Sequence, residues 1–215
     1  MDTLAARQQM VDQQIRTWEV LDPRVLDVFS AVPREAFVPP EYRELAFADA
    51  PIPIGLGQSM LAPKLQGRIL QALGILAADR VLEIGCGTGY LSACLSLLGS
   101  STRAIDIHPQ FTAAATANLR VVPAARVEFQ TRDAFEGDLG EYDVIAMTGS
   151  LPIYDSRFER SLAVGGRLFA IIGAAPVMDA VLIRRVDNTE WIRESLFETV
   201  VDPLINAAAA QRFVF

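Results

Sequence analysis

The sequence predicts an α/β chain: a doubly wound, mostly parallel sheet of seven strands, preceded by a helical cap and finished by an antiparallel strand pair. Three observations predict it. From about residue 79, short apolar runs alternate with helical stretches that end at glycine or begin at proline, and such alternation gives parallel strands joined by crossovers. The first of those runs leads into three glycines at alternate positions, Gly85, Gly87 and Gly89. The last two runs, Ala180–Val186 and Trp191–Val200, are separated by Asp187-Asn188-Thr189, residues that suit a hairpin turn.

The elements follow in order. Leu4, Val11, Ile15 and Trp18 fall on one face of a first helix. Asp22-Pro23 supplies an N-cap and a first-turn proline for a second, whose apolar stripe is Val25, Leu26 and Phe29. The proline-rich run Pro51–Gly57 reads as loop, and a third helix spans Pro63–Leu73, closed by Gly74. Strands are then expected at Arg80–Ile84, Thr102–Ile107, Ala125–Gln130, Tyr142–Met147 and Gly166–Ile172, with helices at Tyr90–Leu98, Pro109–Leu119 and Ser156–Leu162. Gly165-Gly166 supplies the turn into the fifth strand. Residues 1–78 thus read as a helical and loop cap contributing to the active site, and 79–215 as the core, the two forming one compact unit.

Composition excludes several classes. With 215 residues, 51% of them hydrophobic, the chain can bury a sizeable core without staples. A net charge of −7, with Lys64 the sole lysine and no basic run, argues against nucleic acid and anionic membranes as partners. Cys86 and Cys94 form no disulfide framework, and His108 is the only histidine, so neither a zinc site nor a Ser-His-Asp triad can be assembled. The polar N-terminus lacks a signal-peptide core, and no apolar run approaches the ~18 residues of a membrane span. A soluble, cytoplasmic monomer is expected.

The chemistry concentrates in Val81-Leu82-Glu83-Ile84-Gly85-Cys86-Gly87-Thr88-Gly89-Tyr90. Glycine permits the tight turn and lets a ligand approach the backbone, and the helix that follows offers unpaired N–H groups. A dinucleotide fingerprint needs a glycine at the sixth position from Gly85, where Tyr90 stands. Asp106 ends the next strand, 21 residues after Gly85, where a carboxylate can accept from both ribose hydroxyls or cap the following helix. Asp133, just past the third strand, reads either as an acceptor for an adenine amino group or as a loop aspartate; Asp143 reads as structural. Cys86 reads as a small residue facing the backbone, Cys94 as core and His108 as an exposed residue near the mouth of the site. Alternate glycines with Glu83 two residues ahead are similar to the pattern of S-adenosylmethionine-dependent methyltransferases.

A narrower resemblance covers about residues 10–205. It is carried by Met10-Val11, Gln14-Ile15, Val32-Pro33-Arg34-Glu35, Phe37-Val38-Pro39, Ala46-Phe47, Asp49, Pro51-Ile52-Pro53-Ile54-Gly55-Leu56-Gly57-Gln58 and Asp202-Pro203-Leu204. On these residues the chain resembles the protein-L-isoaspartate O-methyltransferases. The resemblance implies S-adenosyl-L-methionine as cofactor and an isoaspartyl-containing protein or peptide as substrate, methylated on its side carboxylate. It also implies that the N-terminal region and the Gly55–Pro63 segment cover the site. Carried over position by position, it makes Gln58, Ser59, Leu61, Glu83, Gly85, Gly87, Asp106 and Asp133 the cofactor-binding candidates. The family's loop reads Gly-x-Gly-Gln-Thr-Ile-Ser, and its active-site serine falls on Leu61, which cannot donate a hydrogen bond. Ser59, at the family's threonine position, is the remaining hydroxyl and the catalytic candidate. Gln66 departs from a common family histidine. Leu61 therefore leaves two alternatives open: a divergent methyltransferase on another acceptor, or a cofactor-binding protein with little isoaspartyl activity. Phe213 and Phe215 are apolar for a free tail and suggest packing on the domain or on another chain.

Overall fold

The computed structural model describes residues 3–209; the expectation for Phe213 and Phe215 lies outside them. The chain begins with helix α1 (Thr3–Met10), which runs on through a wider turn at Val11–Ile15 and a tighter one at Arg16–Trp18. It stops at Glu19, whose φ is 61°. Met10, Val11 and Ile15 are buried, but Leu4 is 71% and Trp18 43% exposed. The one-face expectation holds at Val11 and Ile15 and fails at both ends, Trp18 lying beyond the change of winding that follows Met10. Helix α2 (Pro23–Ala31) is capped by Asp22, whose carboxylate accepts from the Arg24 amide at 2.9 Å.

Pro51–Gly57 is not loop throughout. Strands β1 (Ile52–Gly55) and β2 (Gln58–Met60) form a small antiparallel ribbon, with Ile52 opposite Met60 and Pro53 opposite Ser59. Proline is tolerated there because both strands of a two-stranded ribbon are edges. The turn is left-handed at three successive residues, Gly55, Leu56 and Gly57 (φ 92°, 53° and 72°). Helix α3 (Pro63–Leu73) follows and ends at Gly74, whose amide closes onto the carbonyls of Leu70 and Gln71.

The main sheet contains β3 (Arg80–Ile84), β4 (Ser101–Asp106), β5 (Val127–Thr131), β6 (Tyr142–Leu151), β7 (Leu162–Ala174), β8 (Val177–Arg185) and β9 (Trp191–Thr199), in the order β5-β4-β3-β6-β7-β8-β9. Neighbours are parallel from β5 to β7; β8 runs antiparallel to both β7 and β9. The predicted turn is in place: Asp187 accepts from the amides of Thr189 and Glu190.

Successive residues of the central strands bury on opposite faces, which is why these runs read as continuously apolar. Val81, Val144, Phe169 and Leu182 share one core with Met10, Ile15, Phe29, Phe37 and Leu70, so the N-terminal segment and the sheet have a common interior. Helices α4 (Tyr90–Ser96) and α5 (Pro109–Asn118) extend the helical cover toward β4 and β5. On the other face Leu82, Ile145, Leu168 and Ile183 pack with Leu139 and Phe158. That face is covered mainly by irregular chain and the four-residue helix α6 (Arg157–Arg160), shorter than the expected Ser156–Leu162. Aromatic bulk takes the place of helical length: Phe135 and Phe158 meet edge to face at 5.6 Å.

Arg167 staples cap to sheet. Its guanidinium on β7 donates to the carbonyls of Leu73 and Gly74 and pairs with Asp79 at 2.6 Å.

Candidate active site

The carboxyl ends of β3, β4 and β6 open into a cavity of about 620 Å³. In open α/β sheets, ligands bind at this edge where the strand order reverses, here between β3 and β4 on one side and β6 on the other. Its floor is the glycine turn. Gly85 has φ 93°, and a Cβ there would meet the Thr148 hydroxyl oxygen at 2.6 Å. Thr148 in turn donates to the Ile84 carbonyl at 2.9 Å, tying β6 to the end of β3.

Asp106 organises the turn from the neighbouring strand. One carboxylate oxygen accepts from the Gly87 amide and the other from the His108 amide, each at 3.0 Å. Asp106 is not the N-cap of α5, a position held by His108 with no side-chain cap; its carboxylate steadies the turn before the helix and retains lone pairs beside a cavity that it lines. Glu83 lies beneath, fully buried, with Ser92 donating to it. Burial raises its carboxyl to about 8, and the neighbouring Asp106 adds to the effect. Asp133 lines the same cavity and accepts from the Phe135 amide at 2.8 Å and from Asn206 Nδ2 at 2.7 Å.

The opposite wall is the β1–β2 ribbon and the start of α3. Gln58, Ser59 and Leu61 all line the cavity, so every sequence-predicted site residue is brought to one place. Leu61 is held from behind by Arg34, which is completely buried and, among the described residues, forms no ion pair. Its Nη2 donates to the Leu61 carbonyl and its Nε to the Ala46 carbonyl, both at 2.8 Å, and its Nη1 to Gln66 Oε1. Its guanidinium also lies 4.9 Å from the centre of the Tyr90 ring. Burial lowers the Arg34 pKa from its usual value, yet arginine stays charged in proteins. Gln66, the second departure from the family pattern, is thus a buried acceptor for this arginine.

A third wall escaped sequence reasoning. Beyond β9, residues 200–205 fold back along the end of β6 and line the cavity. Ser150 donates its amide to the Asp202 carbonyl at 2.9 Å and accepts from the Leu204 amide at 3.0 Å. Asp202-Pro203-Leu204 stood out in the sequence but without a site role; the signal was there, its destination was not. Lys64, noticed only as the sole lysine, also lines the cavity.

Residues set aside mostly behave as expected. Cys86 and Cys94 are buried, and burial raises both thiols well above their usual range. Asp143 is structural, accepting from the amide and side chain of Arg80. His108 is half-buried rather than exposed, edge-on to Phe111 at 5.3 Å. Among the described residues, no cluster of histidine, cysteine, aspartate and glutamate could hold a metal ion, and no helix is long and apolar enough to cross a membrane.

Asp106 and Asp133 thus bring two carboxylates to one cavity with the glycine floor and Leu61. The profile of the family described as protein-L-isoaspartate(D-aspartate) O-methyltransferase (PCMT) matches residues 5–208. The chain belongs to this family. Relatives carrying the family's name include a Koribacter versatilis protein, 35% identical over 201 residues (93% of this chain, 90% of that one). A Methanoregula boonei protein is 36% identical over 201 residues, covering 93% and 92%. Among solved structures, a Plasmodium falciparum beta-aspartate methyltransferase (PCMT) in complex with S-adenosyl-L-homocysteine superposes with a TM-score of 0.82. It covers 92% of this chain and 97% of its own at 17% identity. A second, a protein-L-isoaspartate O-methyltransferase, gives 0.77 at 21% identity, over 94% of this chain and 67% of its own. At these identities the structures speak for the fold, and the fold is that of the family.

Proposed function

We propose that the protein transfers the methyl group of S-adenosyl-L-methionine to the side carboxylate of isoaspartyl residues in damaged proteins or peptides. The observation that carries this reading is the continuity of one cavity from the glycine turn to the β1–β2 ribbon, because methyl transfer needs donor and acceptor in a single water-poor space.

The residues fit the cofactor. Asp106 takes the ribose hydroxyls, Asp133 the adenine amino group, and Gly85 and Gly87 leave room for the chain between them. Glu83 lies buried beneath the ligand, and Gln58, Ser59 and Leu61 close over it. S-adenosylmethionine, when bound, supplies a methyl group already activated by its sulfonium. What remains for the protein is alignment, which can contribute roughly 7–11 kcal/mol to such a step. No general base is required, since a carboxylate acceptor with a pKa near ~4 is ionised at neutral pH. Residues 1–78 act as the cap over this site and 79–215 as the core beneath it. Ser59 is the hydroxyl closest in sequence to the family's serine position and the catalytic candidate.

Leu61 lowers the rate of this reaction relative to relatives with serine there, because a polar acceptor then faces apolar bulk where a donor is needed. The same residue favours a second reading, transfer to a less polar acceptor. Purified protein, tritiated S-adenosylmethionine and matched isoaspartyl and aspartyl peptides decide between them. Label on the isoaspartyl peptide alone is expected; label on neither, with S-adenosylhomocysteine still raising the melting temperature, would overturn the first reading.

A further inference from the structure

We propose that Lys64 is the specificity-determining residue for the acceptor, its ammonium binding the carboxylate to be methylated. The inference rests on the methyl-transfer reading above for the reaction, but on separate observations for the charge. The cavity is lined by Asp49, Asp106, Asp133 and Asp202, in a chain of net charge −7. An anionic acceptor entering such a space is repelled unless a cation receives it. Two strongly basic side chains line the cavity among the described residues, Lys64 and Arg132. Arg132 is committed on the side of Asp133, where its Nη2 donates to the Glu136 and Asp138 carbonyls at 2.9 and 2.6 Å.

Lys64 stands on the acceptor wall, in the first turn of α3 and three residues beyond Leu61. Its position is built. The ammonium lies 2.8 Å from Asp49 Oδ2 and 4.4 Å from the centre of the Trp18 ring, and its side chain is 29% exposed. The aromatic face and the single carboxylate fix the head group, while an ammonium has three N–H bonds to give. An incoming carboxylate binds there beside Asp49 or displaces it. The donor lost at Leu61 is thereby supplied from the next element, as a charge rather than a hydroxyl. A less polar acceptor has no use for such a group.

The test uses the full chain, as wild type, Lys64→Met and Lys64→Arg, each shown to be folded by its melting temperature and its affinity for S-adenosylhomocysteine. Binding of an isoaspartyl peptide, and of the same peptide with the acceptor carboxyl amidated, is measured calorimetrically on protein loaded with S-adenosylhomocysteine; methyl transfer is followed in parallel. Wild type should prefer the free carboxylate by ~10-fold or more. Lys64→Met should lose that preference and raise KM with kcat little changed, and Lys64→Arg should restore most of it. Added salt should raise the wild-type KM and leave that of Lys64→Met nearly flat. Equal affinity of wild type for the two peptides, or an unaltered preference in Lys64→Met, overturns the assignment whether or not methyl is transferred. A Lys64-dependent preference without turnover upholds it and overturns the methyl-transfer reading instead.

Discussion

Arg34, with no exposed surface of its own, donates to the backbone carbonyl of Leu61 at 2.8 Å and so fixes the residue at which the family resemblance leads one to expect a serine. The same guanidinium reaches the Ala46 carbonyl and Gln66, joining the N-terminal segment, the ribbon and α3 at a single charged group. Replacing it with methionine keeps most of the volume and removes the donors. Each buried acceptor left alone costs about 1–3 kcal/mol, so Arg34→Met should lower the urea midpoint sharply. An unchanged midpoint would show that the contacts carry no weight.

Leu61→Ser restores the family's hydroxyl on a backbone already held in place. Isoaspartyl methyl transfer should rise by roughly 5- to 150-fold, the kinetic equivalent of one satisfied polar partner at about 1–3 kcal/mol. Affinity for S-adenosylhomocysteine should stay within a few-fold, and stability should fall, since Leu61 is part of the core. No gain in rate would show that Leu61 does not limit the reaction.

Glu83 makes stability depend on pH in a stated direction. Its folded pKa, raised by burial to about 8 from 4.5, means that the folded state holds a proton that the unfolded state has released between these values. Its favourable contribution is complete below the lower value and declines as pH rises toward the upper one. Glu83→Gln removes that slope, so the variant should gain on wild type from pH 5 to pH 8, read as the difference between their melting temperatures. For a chain of this size, each kcal/mol moves Tm by about 2–4 °C. A constant difference across the range would contradict the assignment.

Asp106→Ala should weaken S-adenosylhomocysteine binding by roughly 10- to 150-fold, as expected for losing hydrogen bonds to a charged group worth about 1.5–3 kcal/mol. Part of the loss comes from the Gly87 and His108 amides, which then have no acceptor. Titration calorimetry measures it directly.

Arg167→Met leaves the mostly buried carboxylate of Asp79 without its cation, the Leu76 amide at 2.7 Å its remaining partner. Breaking such a pair costs about 3–5 kcal/mol, whereas the double variant with Asp79→Asn should lose less than the sum. Denaturant melts of the four proteins close the cycle.

How much of this was legible follows from how local each signal is. The edges of β3 were readable to the residue, because its buried run, apolar but for Glu83, starts after the exposed Arg80 and stops at Gly85. Glu83, Asp106 and Asp133 were legible because they sit at strand ends, where position along the chain fixes position in the fold. The ribbon at 52–60 was not: its prolines suggest loop, and the left-handed turn at Gly55–Gly57 that pairs the strands also involves Leu56, a residue that seldom adopts it. Arg34 was visible only as a letter in a family pattern, since its partners lie 12 to 32 residues away. Residues 200–205 were the least legible, being placed by a sheet order that alternation alone does not specify.

That last segment makes the enclosure a long-range property of the chain. Leu204 seats its side chain against Gly85 and Gly149, where an added Cβ on Gly149 would lie 2.7 Å away, so the glycine turn is walled by residues that lie far from it in sequence. The strands of the sheet are held by their own ladders, whereas the cavity keeps its third wall only while residues 200–205 stay seated. Displacing that segment would leave a transferase's sheet without its enclosure.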